Sequence, residues 1–293
     1  RDGATDIGAG IVSDGIGLSV GALTIVNSEV LSNVSGNTGG GGLVNSGGLA
    51  TVSNTIVTAN TTAGYGAGLY VKNGELQLIN STVSRNEADR GGGLYSNFTS
   101  TVTIVGSTFS QNRTTLFNGG GVDIAESGKQ TYAITNSTFV SNTSQTSGGG
   151  IFVTAQNTAL TIINSTFAAN KGSSGGSILV NLGSVTLKNT VIANSPGVGN
   201  CSGSITDGGN NLQYGGTVAN SCGASIATAD PKLGLPGKHG GATETMALSP
   251  GSAAIDAGNP ATCAATDQRG VARPLGLACD IGAYEGSLGP AYL

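Results

Sequence analysis

The chain has 293 residues, enough for a sizeable core, yet only 10% are charged, against roughly 25% in ordinary globular chains, and glycine fills 51 positions. A formal net charge of −4 with only 12 lysines and arginines leaves no basic patch, which excludes a nucleic-acid binder. No apolar run reaches the roughly 18 residues of a membrane-spanning helix, and the abundance of Val, Ile, Thr, Ser and Asn points to folded strands and turns.

No leader segment is visible, and Arg1-Asp2-Gly3 reads as an internal or processed start. From there a unit recurs seven times: a glycine cluster, a short apolar segment, an Asn-Ser/Thr turn, one more apolar residue and an asparagine. Asn27 to Asn33, Asn54 to Asn60, Asn80 to Asn86, Asn136 to Asn142 and Asn164 to Asn170 share one frame. Gly106 stands for the first asparagine in the unit ending at Asn112, and the unit from Asn189 to Asn194 is one residue short. The glycine steps end at Leu43, Leu69, Leu94, Val122, Ile151 and Ile178, spaced 26, 25, 28, 29 and 27 residues apart. One such unit cannot bury its own apolar face and has to stack on its neighbours, which predicts a solenoid.

Within a unit the apolar residues alternate, as Ile151 and Val153 do around Phe152, so the pieces read as strands with one buried side. The fold class is therefore all-β, a right-handed parallel β-helix of about seven coils, roughly 34 Å long at about 4.8 Å per coil. Asparagine and glycine supply left-handed corners, and asparagines stacked coil over coil are expected to form side-chain amide ladders. One buried column comprises the six residues that end the glycine steps. A second comprises Val30, Val57, Val83, Phe109, Phe139 and Phe167, whose rings are expected to stack. Alternation turns Val44, Tyr70, Tyr95, Asp123, Phe152 and Leu179 outward, and the apolar members form a candidate interaction stripe. A second outward column holds Thr24, Thr51, Gln77, Thr103, Ala133, Thr161 and Thr186.

Residues 1–200 are expected to form the repeats, and 201–293 a β-rich cap region continuous with them, closing one end of the rod. All four cysteines lie there: Cys201 and Cys222 bracket one segment, Cys263 and Cys279 another. Neither spacing suits zinc, so two local disulfides are the better reading among the three pairings that four cysteines allow, and they imply a secreted or cell-surface location. The densest polar set is Asp256, Asp267, Arg269, Arg273, Asp280 and Glu285, read as an arginine–carboxylate network pinning loops. No cofactor is expected, a structural calcium being the one metal that this set would take. His239 has no serine or cysteine partner and reads as a surface residue.

The units resemble the repeats of bacterial surface β-helices, including chlamydial polymorphic outer-membrane proteins, in Gly148-Gly-Gly-Ile151, Phe109-Ser-Gln-Asn112, Phe139-Val-Ser-Asn142 and Phe167-Ala-Ala-Asn170. From Asn200 to Glu285, the runs Asn200-Cys-Ser-Gly-Ser-Ile205, Asp230-Pro-Lys-Leu233, Ala247 to Gly258, Asp267-Gln-Arg-Gly270 and Cys279-Asp-Ile-Gly-Ala-Tyr-Glu285 are similar to secreted bacterial choice-of-anchor Q domain proteins. His239-Gly-Gly241 stands where that family has Asn-Gly-Gly. The resemblance implies an extracellular, pectate-lyase-like architecture and no particular activity.

Acids within the coils do not recur at equivalent positions, so no catalytic residues are assigned. The expected function is a non-enzymatic surface structural or adhesive protein. Its partners are further copies of itself, joined head-to-tail or side by side into filaments or a layer, or cell-surface glycans. Two alternatives stand beside it: a polysaccharide lyase or hydrolase, and ice or glycan binding through the threonine column.

Overall fold

The computed structural model describes residues 10–14, 21–36, 39–125, 128–218 and 221–286. Among them there is no α-helix, and the strands wind into a parallel solenoid. A coil enters along a first face (Ile11–Asp14, Leu43–Ser46, Leu69–Lys72, Leu94–Asn97, Val122–Ile124, Ile151–Val153). It continues onto a second (Ala22–Val26, Leu49–Ser53, Glu75–Ile79, Ser100–Val105, Lys129–Thr135, Asn157–Ile163). The strand Ile178–Lys188 crosses both, so the two faces share one 14-stranded sheet. After a tight turn comes the third face: Glu29–Leu31, Ile56–Thr58, Thr82–Ser84, Thr108–Ser110, Thr138–Val140, Thr166–Ala168, Val191–Ala193, Leu212–Tyr214 and Ala227–Thr228. A short corner ladder of Val34–Ser35, Thr61–Thr62, Glu87–Ala88 and Arg113–Thr114 closes the first coils.

Both buried columns read from the sequence are in strict register. Leu43 pairs with Leu69, Leu69 with Leu94, and so on through Val122 and Ile151 to Ile178, all buried. The third-face column runs from Val30 to Phe167, and its three rings stack at centroid distances of 4.8 and 4.6 Å, within 7° of coplanar. Stacked rings add about 0.5–1.5 kcal/mol per pair beyond the area they bury.

The corner after the third face is held by an asparagine ladder. Asn60, Asn86, Asn112, Asn142 and Asn170 are fully buried. In each coil the Nδ2 donates to the Oδ1 of the next coil's asparagine, at 2.8–3.0 Å from Asn33 through Asn142. That Oδ1 also accepts the backbone N–H of the preceding rung, and Nδ2 donates again to the carbonyl of Val30, Val57, Val83, Phe109 or Phe139. Each buried amide thereby has its partners, as the interior demands. The residue before each rung is left-handed: Ser32, Ala59, Arg85, Gln111, Ser141 and Ala169 have φ of 54 to 57°. Asn194 has the same φ class, and Ala168 pairs with Ala193, so Asn194 matches Ala169 and Ser195 takes the rung. The last unit is thus not short. Ser195 Oγ lies 2.9 Å from Ser177 Oγ, and its N–H donates to Asn200 Oδ1.

The glycine steps answer to close packing rather than flexibility. Gly148 has φ +64°, and a Cβ there would sit 2.8 Å from Phe152 Cβ. A Cβ on Gly150 would meet the Ser177 carbonyl oxygen at 2.5 Å. Neither approach tolerates a side chain.

Cys201–Asp207, Leu212–Tyr214 and Ala227–Thr228 continue the parallel ladders, so stacking runs on to Thr228. The loop after Tyr214 closes this end: Cys222, bonded to Cys201, and Ile226 join the core. Gln213 stands where earlier coils carry phenylalanine or isoleucine, and its amide bonds Gly223 O, Ile226 O and Cys222 N. Residues 229–286 depart from the expected end cap. They fold back along the outside of the third face, with one antiparallel pair, Leu233–Gly237 with Thr245–Leu248. The physical reason is that one outward column of this face turns apolar in the later coils, at Val140, Ala168 and Ala193, and the other follows at Val191 and Leu212. Val191, Ala193 and Leu212 pack with Ala254 and Ile281, while Val140 and Ala168 pack with Met246. Cys263–Cys279 is the second disulfide and lies within this flank.

Candidate functional site

The turn that opens the third face sets a rail along the rod. Asn27, Asn54, Asn80, Asn136, Asn164 and Asn189 hold φ of 44–50°, with Gly106 in the same column, so their side chains project beside the third face. The flank binds this rail through its main chain. Asn189 Oδ1 accepts from Asn259 N, Asn164 Oδ1 accepts from Ala264 N, and Asn136 Nδ2 donates to Thr266 O at 2.7 Å. A threonine column beside it does the same: Thr166 Oγ1 accepts from Ala283 N, and Thr108 Oγ1 donates to Glu244 O at 2.6 Å. Gln268, only 4% exposed, clamps the lower end of the flank. Its amide reaches Thr138, Thr108, Thr243 and the Glu244 carbonyl at 2.7–3.0 Å.

Below Gln268 the flank stops and a groove of about 540 Å³ opens. Its floor is the uncovered part of the third face, with Ile56, Thr58, Thr82 and Ser84 on adjacent coils. Asn54 and Asn80 continue the rail along one wall, with Lys238, Ala242 and Glu244 of the flank above them. Arg85 and Gln111 line the other side, bonded Nε to Oε1 at 2.9 Å, and Glu29 closes the far end. A smaller cavity of about 200 Å³, which shares Asn80 and Ala242 with the groove, is lined by Asn136, Thr266 and Arg269. Asn136 is 5% exposed and its Oδ1 has no partner among the described residues. The groove was missed in the sequence, where a weak signal lies: one outward column of the third face reads Thr58, Ser84 and Ser110 in early coils but Val140, Ala168 and Ala193 later. Unbroken apolar runs mark a strand covered on both sides.

The candidate stripe is not a free surface. Val44, Tyr70, Tyr95 and Phe152 are at most 7% exposed, and Leu179 is half-buried. Alternation does turn them away from the coil interior, but the glycine four residues earlier folds back over Tyr70, Tyr95, Phe152 and Leu179, and the Tyr65 ring stacks on Tyr95 at 4.8 Å. Asp123, fully buried in this column, pairs with Arg90 at 2.9 Å, and Arg90 in turn lies over the Tyr95 ring. Burial raises the Tyr70 and Tyr95 hydroxyl pKa values, with Asp123 adding to the effect at Tyr95.

The polar set of the flank is brought together as an internal network. Arg273 Nη1 bonds Glu285 Oε2 at 2.7 Å and the Asp280 carbonyl, and Nη2 reaches the Gly282 carbonyl. Glu285 also accepts from the Leu275 and Asp280 amides, Asp267 from Arg269, Val271 and Glu285 amides, and Asp256 from Ala278. Arg269 pairs with Asp267 and lies 3.6 Å over the Tyr284 ring. These carboxylate oxygens are turned to main-chain donors and guanidinium groups, and among the described residues no three His, Cys, Asp or Glu side chains converge as a metal site. Burial lowers the Arg273 pKa against the pull of Glu285, and pushes Asp280 up to about 6.

The second face remains open. The column Thr24, Thr51, Gln77, Thr103, Ala133, Thr161 and Thr186 is in unbroken register and continues to Thr206, flanked by Val26, Ser53, Ile79, Val105, Thr135 and Ile163. All of these side chains are half-buried or exposed.

A family model described as right handed beta helix region matches residues 9–195, most of the coils and none of the flank. No curated protein and no solved structure matches the chain.

Proposed function

We propose, from the premise that the chain belongs to the right-handed β-helix family, that it is an extracellular structural or adhesive protein working through its surfaces rather than by covalent chemistry. The observation that supports this is the second face. Six or seven strands in register present threonine and aliphatic side chains, with charge among the described residues only at Glu75, Lys129 and Lys188 in the outward rows. At about 4.8 Å between coils and about 3.3 Å per residue it spans roughly 400 Å², the size of patch that on ordinary monomers is often functional. Two disulfides and the resemblance of residues 200–285 to secreted surface proteins support the location. The closed end at Cys222 favours side-by-side over head-to-tail contact. An interface of this size is weak by itself, so assembly is expected only at high concentration, in solution or on a surface. Sedimentation of the chain at increasing concentration tests this. Self-association that Thr103→Lys and Thr161→Lys abolish supports the reading, and an unchanged monomer at millimolar concentration contradicts it.

Polysaccharide cleavage is the second reading, favoured by two carboxylates, Glu29 and Glu244, in one groove. Release of reducing ends or unsaturated sugars that Glu29→Gln and Glu244→Gln abolish would replace the first reading with this one.

A further inference from the structure

We infer that the groove below Gln268 is a peptide-binding site that takes an extended segment of another protein through its main chain. The rail and the threonine column are repeated devices, and in the later coils their ligand is visible: it is the flank. Successive asparagines meet Asn259, Ala264 and Thr266 by their main-chain groups, and Thr166 and Thr108 meet Ala283 N and Glu244 O, while Thr138 between them meets the Gln268 side chain. Beyond Gly106, which has no side chain, Asn80 and Asn54 continue the first column, and Thr82 follows Thr108 in the second. Among the described residues the side chains of Asn54, Asn80 and Thr82 bond nothing, and they line the open groove. A second observation points the same way. The Oδ1 of Asn136 is buried without a partner at the mouth of the adjoining cavity, on the path that an extended chain would follow from the flank to Asn80.

From Glu29 to Thr108 the groove crosses four coils, about 14 Å, the length of about four extended residues. A segment laid there gains main-chain hydrogen bonds at each coil, the mode in which backbone contacts supply affinity and side pockets supply selectivity. Lys238 and Arg85 on the walls pair with acidic side chains of the guest, and Glu29 and Glu244 with basic ones, so a mixed-charge segment fits. No aromatic ring lines the groove to stack on a sugar. This names a partner for the surface-protein reading and rests on it, but binding is measured on dispersed chains, so failure to assemble and failure to bind are separate results.

The probe is a synthetic peptide copying Thr262 to Gln268, the tract that the rail already holds, with serine for Cys263, together with a twin N-methylated at alternate amides. NMR titration of the full chain is expected to shift Asn54, Asn80, Thr82 and Ser84. The methylated twin should lose the effect. Asn80→Gly and Thr82→Val should each weaken binding several-fold to about tenfold. Both variants place residue types that the repeat itself carries at these positions, Gly106 and Val191, so the fold is retained. Equal binding by the methylated twin, shifts confined to other surfaces, or no shift at millimolar peptide overturns the proposal. So does a response of these residues to oligosaccharides but not to the peptide.

Discussion

Asn112 illustrates how much one buried amide carries. It serves the Val83 carbonyl, the Asn142 Oδ1, and the backbone N–H and one Nδ2–H of Asn86. Asn112→Ala strands these groups inside the coil, and each orphaned buried group costs about 1–3 kcal/mol. The expected loss is about 3 kcal/mol in urea unfolding, against less than 1 kcal/mol for the same change at half-exposed Asn33. Asp280 makes a prediction of opposite sign to the usual acid. Its folded pKa, about 6, lies above the unfolded value of 3.8 because the carboxylate is buried. Its contribution is full below about pH 4 and is lost as pH rises through 6. Carbon-13 titration should place its midpoint near 6, and Asp280→Asn should flatten the thermal stability profile between pH 4 and 7.

Among elements, the coils and the flank differ in how they are encoded. The columns Leu43 to Ile178 and Val30 to Phe167 were legible because strand alternation and the glycine markers repeat at nearly constant spacing. The amide ladder was legible in its residues. Its frame was misjudged once, at Asn194, since the rung there is a serine and the asparagine holds the left-handed corner. The stripe of Val44, Tyr70 and Tyr95 shows the limit of alternation: it tells which side of a strand a residue takes, not what lies over that side. The flank was the least legible element, because it is aperiodic and docks by main-chain groups that carry no sequence signature. Its dependence on a few clamps is testable. Gln268→Ala should speed hydrogen exchange in 238–248 and 266–270 and leave the coil strands protected. Cys263→Ser with Cys279→Ser releases a link between residues 16 apart and should cost about 3 kcal/mol by loop-closure entropy.

At the scale of the whole molecule, the rod is closed at the Cys222 end, covered along much of its third face and open on its second. A solenoid's stability is shared among neighbouring coils, so substitutions on the second face should leave unfolding within about 0.5 kcal/mol of the parent while changing association. That separation of stability from contact makes the function readable. Cryo-electron microscopy of the chain concentrated on a surface tests the central claim most directly. The account predicts rods paired or layered through their second faces, dispersed by Thr103→Lys with Thr161→Lys. Rods that stay isolated at every density, or that join only end to end through the Cys222 cap, would contradict it.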